Sequence, residues 1–319
     1  MKKILCVLMS CLLFVMAGCS GHSKNLKFGA ADIGGVYYSF ASTFTQLADK
    51  EIDGYTFETK TTAGSVANLR LISDGYIDLA IAQADLLSDA YNATGTFADK
   101  KYQKGYKAVA SLYTECCQIV VRKDSGITGI DDLINKTVSV GASESGSEKN
   151  AEQILKMSGI TDELINKVNM DYTEAAEKLK AGEIDAFFCT AGTRTEVTGQ
   201  LSKECDICLI SLDDKCIDKM LSAYSLCEKY TIPAGTYNGQ DSDVTTIGVK
   251  AVLIAKQSLS DDVIKNVTKT IYEHADDFKY ATSLDISFDI NTAADGVDIP
   301  FHSGAAAYYT ERGINVLTE

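Results

Sequence analysis

Histidine is nearly absent: only His22, His274 and His302 occur in 319 residues. A single Cys-x-x-Cys, Cys205 to Cys208, stands without a second such pair, so the spacing that builds a structural zinc site is missing. The chain also lacks a G-x-S-x-G elbow, a GxxxxGK[ST] loop, an HExxH helix and a complete GxGxxG turn. A serine nucleophile would have to take its base from His274 or His302, and neither lies in a candidate serine turn; His302 belongs rather at the entry of a terminal helix. These absences argue against an enzyme, and we expect no catalytic residue, no metal and no cofactor. Basic residues are outnumbered as well, 30 Lys and Arg against 44 Asp and Glu, for a formal charge of −14 that becomes about −16 without Lys2 and Lys3. A surface this acidic speaks against nucleic acid or anionic headgroups as partners, since both need a basic patch. It leaves room for a small anion in a local pocket.

Long apolar runs are missing apart from residues 4–16, which follow Lys2 and Lys3. That run is too short to span a membrane stably and right for the centre of a signal peptide. The Met-Ala-Gly-Cys at 16–19 resembles a lipobox, in which Cys19 receives a diacylglyceryl group and becomes the mature amino terminus. We expect residues 1–18 to be a lipoprotein signal peptide and 19–25 the lipidated cysteine with its tether. The protein would then be extracytoplasmic and anchored to the cell membrane; an ordinary secretory signal with an incidental cysteine is the alternative. Of ten cysteines, seven remain after Cys6, Cys11 and Cys19 are set aside: Cys116, Cys117, Cys189, Cys205, Cys208, Cys216 and Cys227. Structural thiols are expected, with Cys205 and Cys208 the one local disulfide pair.

The stretch that organises the rest is 61–85, TTAGSVANLRLISDGYIDLAIAQAD. Gly64 and Ser65 can open a helix, Val66, Leu69 and Ile72 recur at helical spacing, and Gly75 can end it in the left-handed conformation. The apolar run to Gln83 then reads as a buried parallel strand whose carboxyl end surfaces at Gln83 and Asp85. Its second half recurs: Gly182, Ile184 and Asp185 repeat Gly75, Ile77 and Asp78 at an offset of 107. The preceding segments match too, strand then Gly/Ser turn then helix, at 26–36 and 137–147. Two copies, each long enough for its own sheet, predict two similar α/β lobes rather than a solenoid. Interlobe crossings are placed at 115–117 and 244–248, which makes lobe I 26–115 plus 247–319 and lobe II 116–246. The result is a hinged clamshell with a cleft between its lobes.

Four strand-to-helix turns face that cleft, at 32–38, 61–68, 141–148 and 190–195. Three lead into helix amino termini, whose free N–H groups and partial positive charge favour a carboxylate. The candidate ligand-binding residues are Gly35, Val36, Tyr37 and Tyr38; Thr62, Gly64, Ser65 and Asn68; Gln83; Ser143, Ser145, Gly146 and Ser147; and Ala191, Gly192 and Thr193. Small hydroxylated side chains with one Asn and one Gln suit a polar small-molecule pocket; Ser and Thr beside Gly also serve as caps and turn formers. Arg194 reads equally as a partner for a solute carboxylate or as a solvated loop residue. Arg70 reads as surface, and Glu148 as facing away or capping its helix.

The strings GGVYY (34–38), AGSVANLR (63–70), QAD (83–85), SDAYNATGTF (88–97) and VVRKDSGI (120–127) resemble the TAXI group of solute-binding proteins of tripartite ATP-independent periplasmic (TRAP) transporters. GASESGSE (141–148), IDAFFCTAGT (184–193), IPAGTYNGQDSDVTTIGV (232–249) and IPFHSGAAAYY (299–309) extend the resemblance over nearly the whole mature chain. It implies a type II periplasmic-binding-protein clamshell that captures a small organic anion or amino acid, such as glutamate or 2-oxoglutarate. The solute would pass to an ion-gradient-driven membrane permease. Two departures flank the pocket: Ser143-Glu144 stands where the family usually has Pro-Gly, and Arg194 where it often has Pro. The alternatives are a substrate-binding lipoprotein of an ABC importer, a solute sensor and, from another class, a secreted hydrolase.

Overall fold

The computed structural model describes residues 23–99, 104–282 and 288–319. The expected signal peptide, Cys19, most of the tether and part of the polar loop before Gly105 lie outside the described residues. Chain order is β1 (Lys24–Gly29), α1 (Val36–Glu51), β2 (Tyr55–Lys60), α2 (Ser65–Ser73), β3 (Leu79–Gln83), α3 (Ala84–Asn92) and β4 (Tyr106–Arg122). Then come β5 (Thr137–Ser139), α4 (Gly146–Met157), β6 (Asn166–Val168), α5 (Tyr172–Ala181), β7 (Ala186–Ala191), α6 (Glu196–Glu204), β8 (Ile207–Leu209) and α7 (Asp214–Ala223). The last part is β9 (Cys227–Ile232), β10 (Val244–Lys256), α8 (Asp261–Glu273), α9 (Ala275–Thr282) and α10 (Ser303–Thr310).

Among the described residues the strands form one sheet in the order β2-β1-β3-β10-β4-β7-β5-β6, with β8 on β4 and β9 on β10. Each end is a parallel trio, β2-β1-β3 and β6-β5-β7. The long antiparallel pair β4 and β10 joins them. The apolar core divides along that pair. One part is built from residues between Leu26 and Tyr113 and between Val249 and Tyr309, with Phe40 stacked on Phe278 at 4.5 Å. The remaining clusters draw on residues from Cys116 to Ile247.

The repeated Gly-x-Ile-Asp is a strand clamp. Gly75 and Gly182 turn the chain at φ 81° and 74°, where a side chain would be strained. Ile77 and Ile184 are buried. The Asp78 carboxylate accepts the N–H of Lys27 at 2.9 Å while its own N–H donates to the Lys27 carbonyl at 2.8 Å. Asp185 does the same with Thr137, both bonds at 2.8 Å. Each aspartate thus sets the register of a parallel pair before the ladder begins.

The chain departs from the sequence reading in several elements. β1 starts at Lys24, inside the expected tether. β4 is one 17-residue strand, largely buried, whose register against β10 shifts twice without ending it. β9 was not expected; with Glu228, Lys229 and Thr231 exposed, its sequence carries only a weak strand pattern. α8 and α9 are separated by a break at His274, whose ring lies between Glu51 at 2.6 Å and Asp277 at 2.9 Å. α5 is capped by Asp171, which accepts the Glu174 N–H at 2.8 Å, not by Thr173.

Candidate functional site

Residues from all four turns meet in one enclosed cavity of about 30 Å³, where the carboxyl ends of the parallel strands face each other. Of the expected site residues, Gly35, Val36, Tyr37, Gly64, Ser65, Gln83, Ser145, Gly146, Ser147 and Ala191 line it. Thr62 and Ser143 line a wider depression of about 470 Å³ that shares Asp32, Ala63 and Ala142 with the cavity. Tyr38, Asn68, Gly192 and Thr193 do not line the cavity. Asn68 is fully buried, its amide donating to the carbonyls of Ala30 at 2.6 Å and Ile81 at 2.8 Å and accepting from the Thr62 hydroxyl at 2.7 Å. It pins β1 to β3. Thr193 is engaged with the Tyr230 hydroxyl at 2.6 Å, and the Gly192 carbonyl accepts from the Thr195 hydroxyl at 2.8 Å. Tyr38 packs against the first core.

The two trios build matching braces behind the cavity. The Ser65 hydroxyl accepts the Gln83 N–H at 3.1 Å, and the Ser147 hydroxyl accepts the Thr190 N–H at 2.8 Å. Gln83 and Thr190 are again 107 residues apart. The Tyr172 hydroxyl completes the second brace, donating to the Thr190 carbonyl at 2.9 Å and meeting Ser147. The first-turn N–H groups of α1, α2 and α4 have no intrahelical acceptor, so three helix amino termini present donors at this junction. Gly64, at φ 118° and ψ −149°, lets the chain enter α2 close to Ser145 as the residue before the helix, with no side-chain cap.

Sequence reasoning missed Glu115, Tyr172, Asp32, Ala31, Ala63, Ala142 and Thr190. Glu115 matters most. It is 3% exposed in the middle of β4 and lines the cavity, accepting from the Tyr37 hydroxyl at 2.8 Å with the Gln83 amide facing the same carboxyl. Burial pushes its carboxyl up to about 8, against the pull of Tyr37 and Gln83. Asp32 is raised to about 6 by burial and by Asp171, and Asp85, behind Gln83, is also raised to about 6 by burial. The Gln83 side-chain oxygen is buried without a hydrogen-bond partner. A charged residue inside an otherwise apolar strand was the available signal, read in the sequence only as a crossing point. No Lys, Arg or His lines either the cavity or the depression. Arg194 is exposed at φ 70°.

The two halves touch at the rim. Arg70 forms a two-pronged pair with Glu144, 3.1 Å from Nε and 2.6 Å from Nη2, and the Ala67 N–H donates to the Glu144 carbonyl at 3.1 Å. Arg70, read as surface, is thus a cross-cleft contact. Glu144 sits at φ 65°, a left-handed conformation that suits the glycine of the family pattern better. The Glu148 carboxylate accepts the Glu144 N–H at 3.0 Å and so caps the turn, while the Ser145 hydroxyl accepts the Glu148 N–H at 3.0 Å.

The cysteine sulfurs from Cys116 to Cys227 are all unpaired. Burial raises the Cys116 and Cys117 thiols to about 12, which leaves them inert as nucleophiles. Among the described residues no helix is long and apolar enough to cross a membrane.

Residues 28–313 match the model of the NMT1-like family. Among solved structures, PhnD1 from Prochlorococcus marinus in complex with methylphosphonate aligns with a TM-score of 0.53 at 13% identity, over 92% of this chain and 91% of that one. The ligand-binding component of an ABC-type import system from Staphylococcus aureus, with zinc bound, aligns at 0.51 and 12%, over 91% and 92%. A structure titled as a periplasmic transporter aligns at 0.53 and 14%, over 81% and 86%. At these identities the likeness is one of fold, and the fold is the α/β type II periplasmic-binding-protein fold.

Proposed function

The chain belongs to the NMT1-like family, and we propose that it is the extracytoplasmic solute receptor of a membrane transporter, closing its two lobes on a small polar solute and passing it to a permease. The observation that carries this reading is the enclosed cavity at the carboxyl ends of two parallel trios, lined from both halves and ringed by helix amino termini. At about 30 Å³ the cavity has room for little more than a water or two, so a solute enters only when the lobes part. β4 and β10, which join the halves, are the hinge. The solute is a small organic anion or an amino acid. Cys19 would hold the receptor at the membrane. The pocket binds and does not turn over its solute: its hydroxyls brace the backbone, and no histidine lies on its wall.

Two transporter types compete. The Staphylococcus aureus structure belongs to an ABC-type import system, which supports an ATP-driven permease as partner. The TAXI-like motifs support an ion-gradient-driven one. A thermal-shift screen of the purified chain against amino acids, dicarboxylates and 2-oxo acids tests the receptor: a solute at a hundred times its dissociation constant adds about 2.7 kcal/mol to native stability. A flat screen that also includes neutral and cationic solutes overturns it. Uptake into cells whose ion gradients are collapsed while ATP is kept separates the two partners: the ABC type persists and the TRAP type stops.

A further inference from the structure

The cavity contains a recognition problem that a simple anion does not solve. Its ionisable carboxyls are Glu115 and Asp32, the adjoining depression adds Asp171 and Glu174, and no cationic side chain balances them. The converging amino termini of α1, α2 and α4 supply donors for one carboxylate. A second carboxylate would meet acids instead. On the strand side of the cavity the chemistry is the reverse: the Glu115 carboxyl and the unpartnered oxygen of Gln83, itself 1% exposed, offer acceptors to a ligand.

We propose that the cavity takes a zwitterion, a solute with one carboxylate at the helix amino termini and a protonated amine held by Glu115 and the Gln83 oxygen, with Glu115 the residue that decides specificity. The proposal rests on the receptor reading and narrows it: of the solutes that reading allows, amino acids fit, while 2-oxo acids and dicarboxylates lacking an amine do not. The physical reason is charge balance in a closed, water-poor space. An ammonium beside Glu115 offsets the carboxylate and supplies the donors that Gln83 lacks. The groups around Glu115 reinforce this. Tyr37, Tyr113, Tyr172, Cys116 and Cys189 are neutral at physiological pH, since burial raises each of them above its ordinary value, and Asp85 is acidic. None is a cation, and Glu115 itself keeps its proton up to about 8, so an arriving ammonium is the one partner that draws it into the charged form.

The test uses the purified full chain, a panel of L-amino acids and the matching 2-hydroxy acids, which keep the carboxylate and side chain and replace only the amine. Calorimetric titration is expected to show at least one amino acid binding tenfold or more tighter than its hydroxy counterpart. In Glu115→Gln, which keeps the size and the Tyr37 contact, that ratio should fall towards one. If 2-hydroxy or 2-oxo acids bind the wild type as well as amino acids do, the zwitterion proposal is overturned and the receptor reading stands. Because Glu115 holds its proton up to about 8 in the empty cavity and must give it up to pair with an ammonium, amino-acid binding near pH 7 is expected to release about one proton, read from heats in two buffers; binding with no proton released would also overturn the proposal. If no solute of either set or of the wider screen binds, the receptor reading falls and the proposal with it.

Discussion

Glu115 is the residue whose environment sets a measurable pH signature. Its carboxyl holds its proton more tightly in the folded chain, at about 8, than at its ordinary value of 4.5. The stability this contributes is fully present below about 4.5 and is lost as pH rises towards 8. Asp85, raised from 3.8 to about 6, acts with the same sign over a lower window. The urea midpoint of the solute-free protein should therefore fall between about pH 5 and pH 8, and Glu115→Gln should flatten the upper part of that decline. An unchanged slope in the variant would place the titration elsewhere. Asn68 carries a different expectation. Its Nδ2 serves carbonyls of β1, β3 and the turn after β1, so Asn68→Ala should cost about 2–3 kcal/mol through unpaired buried acceptors. Loss of binding in that variant would follow from unfolding, and a denaturation curve separates the two. The sequence marked Asn68 as polar and central, both true, but whether an amide faces ligand or backbone is settled by which carbonyls surround it.

At the scale of elements, the aspartate clamps carry the clearest expectation. Asp185→Ala leaves the Thr137 N–H without its carboxylate acceptor and should cost about 2 kcal/mol. Asp78→Ala should cost more, because Asp78 also pairs with Lys256 at 2.8 Å. Denaturant midpoints of the single variants and the double variant check both, and the losses should add, since the clamps lie in different halves. These elements were legible for a physical reason. The turn glycine, the buried isoleucine and the aspartate are neighbours in sequence and recur together when the unit recurs, although the partners the aspartates clamp lie 51 and 48 residues away. β9 and the break at His274 were not: β9 is half exposed and carries little strand pattern of its own, and the histidine ring depends on Glu51, far along the chain.

For the whole molecule, the receptor reading makes the Arg70–Glu144 pair the clasp of a closed form. Its side chains are 41% and 39% exposed, so screening by water and salt limits it to about 0.5–1 kcal/mol. Arg70→Ala should therefore lower the closed-to-open ratio roughly twofold to fivefold. Small-angle scattering of the solute-free protein should show a larger radius of gyration, and solute dissociation should quicken. A radius identical to that of the wild type would mean that the clasp does not hold the lobes. Raising the salt should shift the wild type in the same direction as the substitution and leave the variant nearly unmoved.

By itself the sequence determined the α/β class, the duplicated strand–turn–helix unit, and the four turns that would face a cleft, because hydrophobic period, glycine turns and a constant offset are properties of neighbouring residues. Ten of the residues it nominated line the cavity, all on those turns or at the end of β3. Only the tertiary structure decided which polar groups face the cavity and which brace the protein. It turned Asn68 and Thr193 inward to backbone and hydroxyl partners, brought Arg70 across to Glu144, and placed Glu115 from the middle of a buried strand at the point where the two halves meet. Those outcomes depend on distances between segments up to 78 residues apart, as between Tyr37 and Glu115, where the tyrosine hydroxyl donates at 2.8 Å. No local pattern encodes such a distance; packing of the closed sheet does.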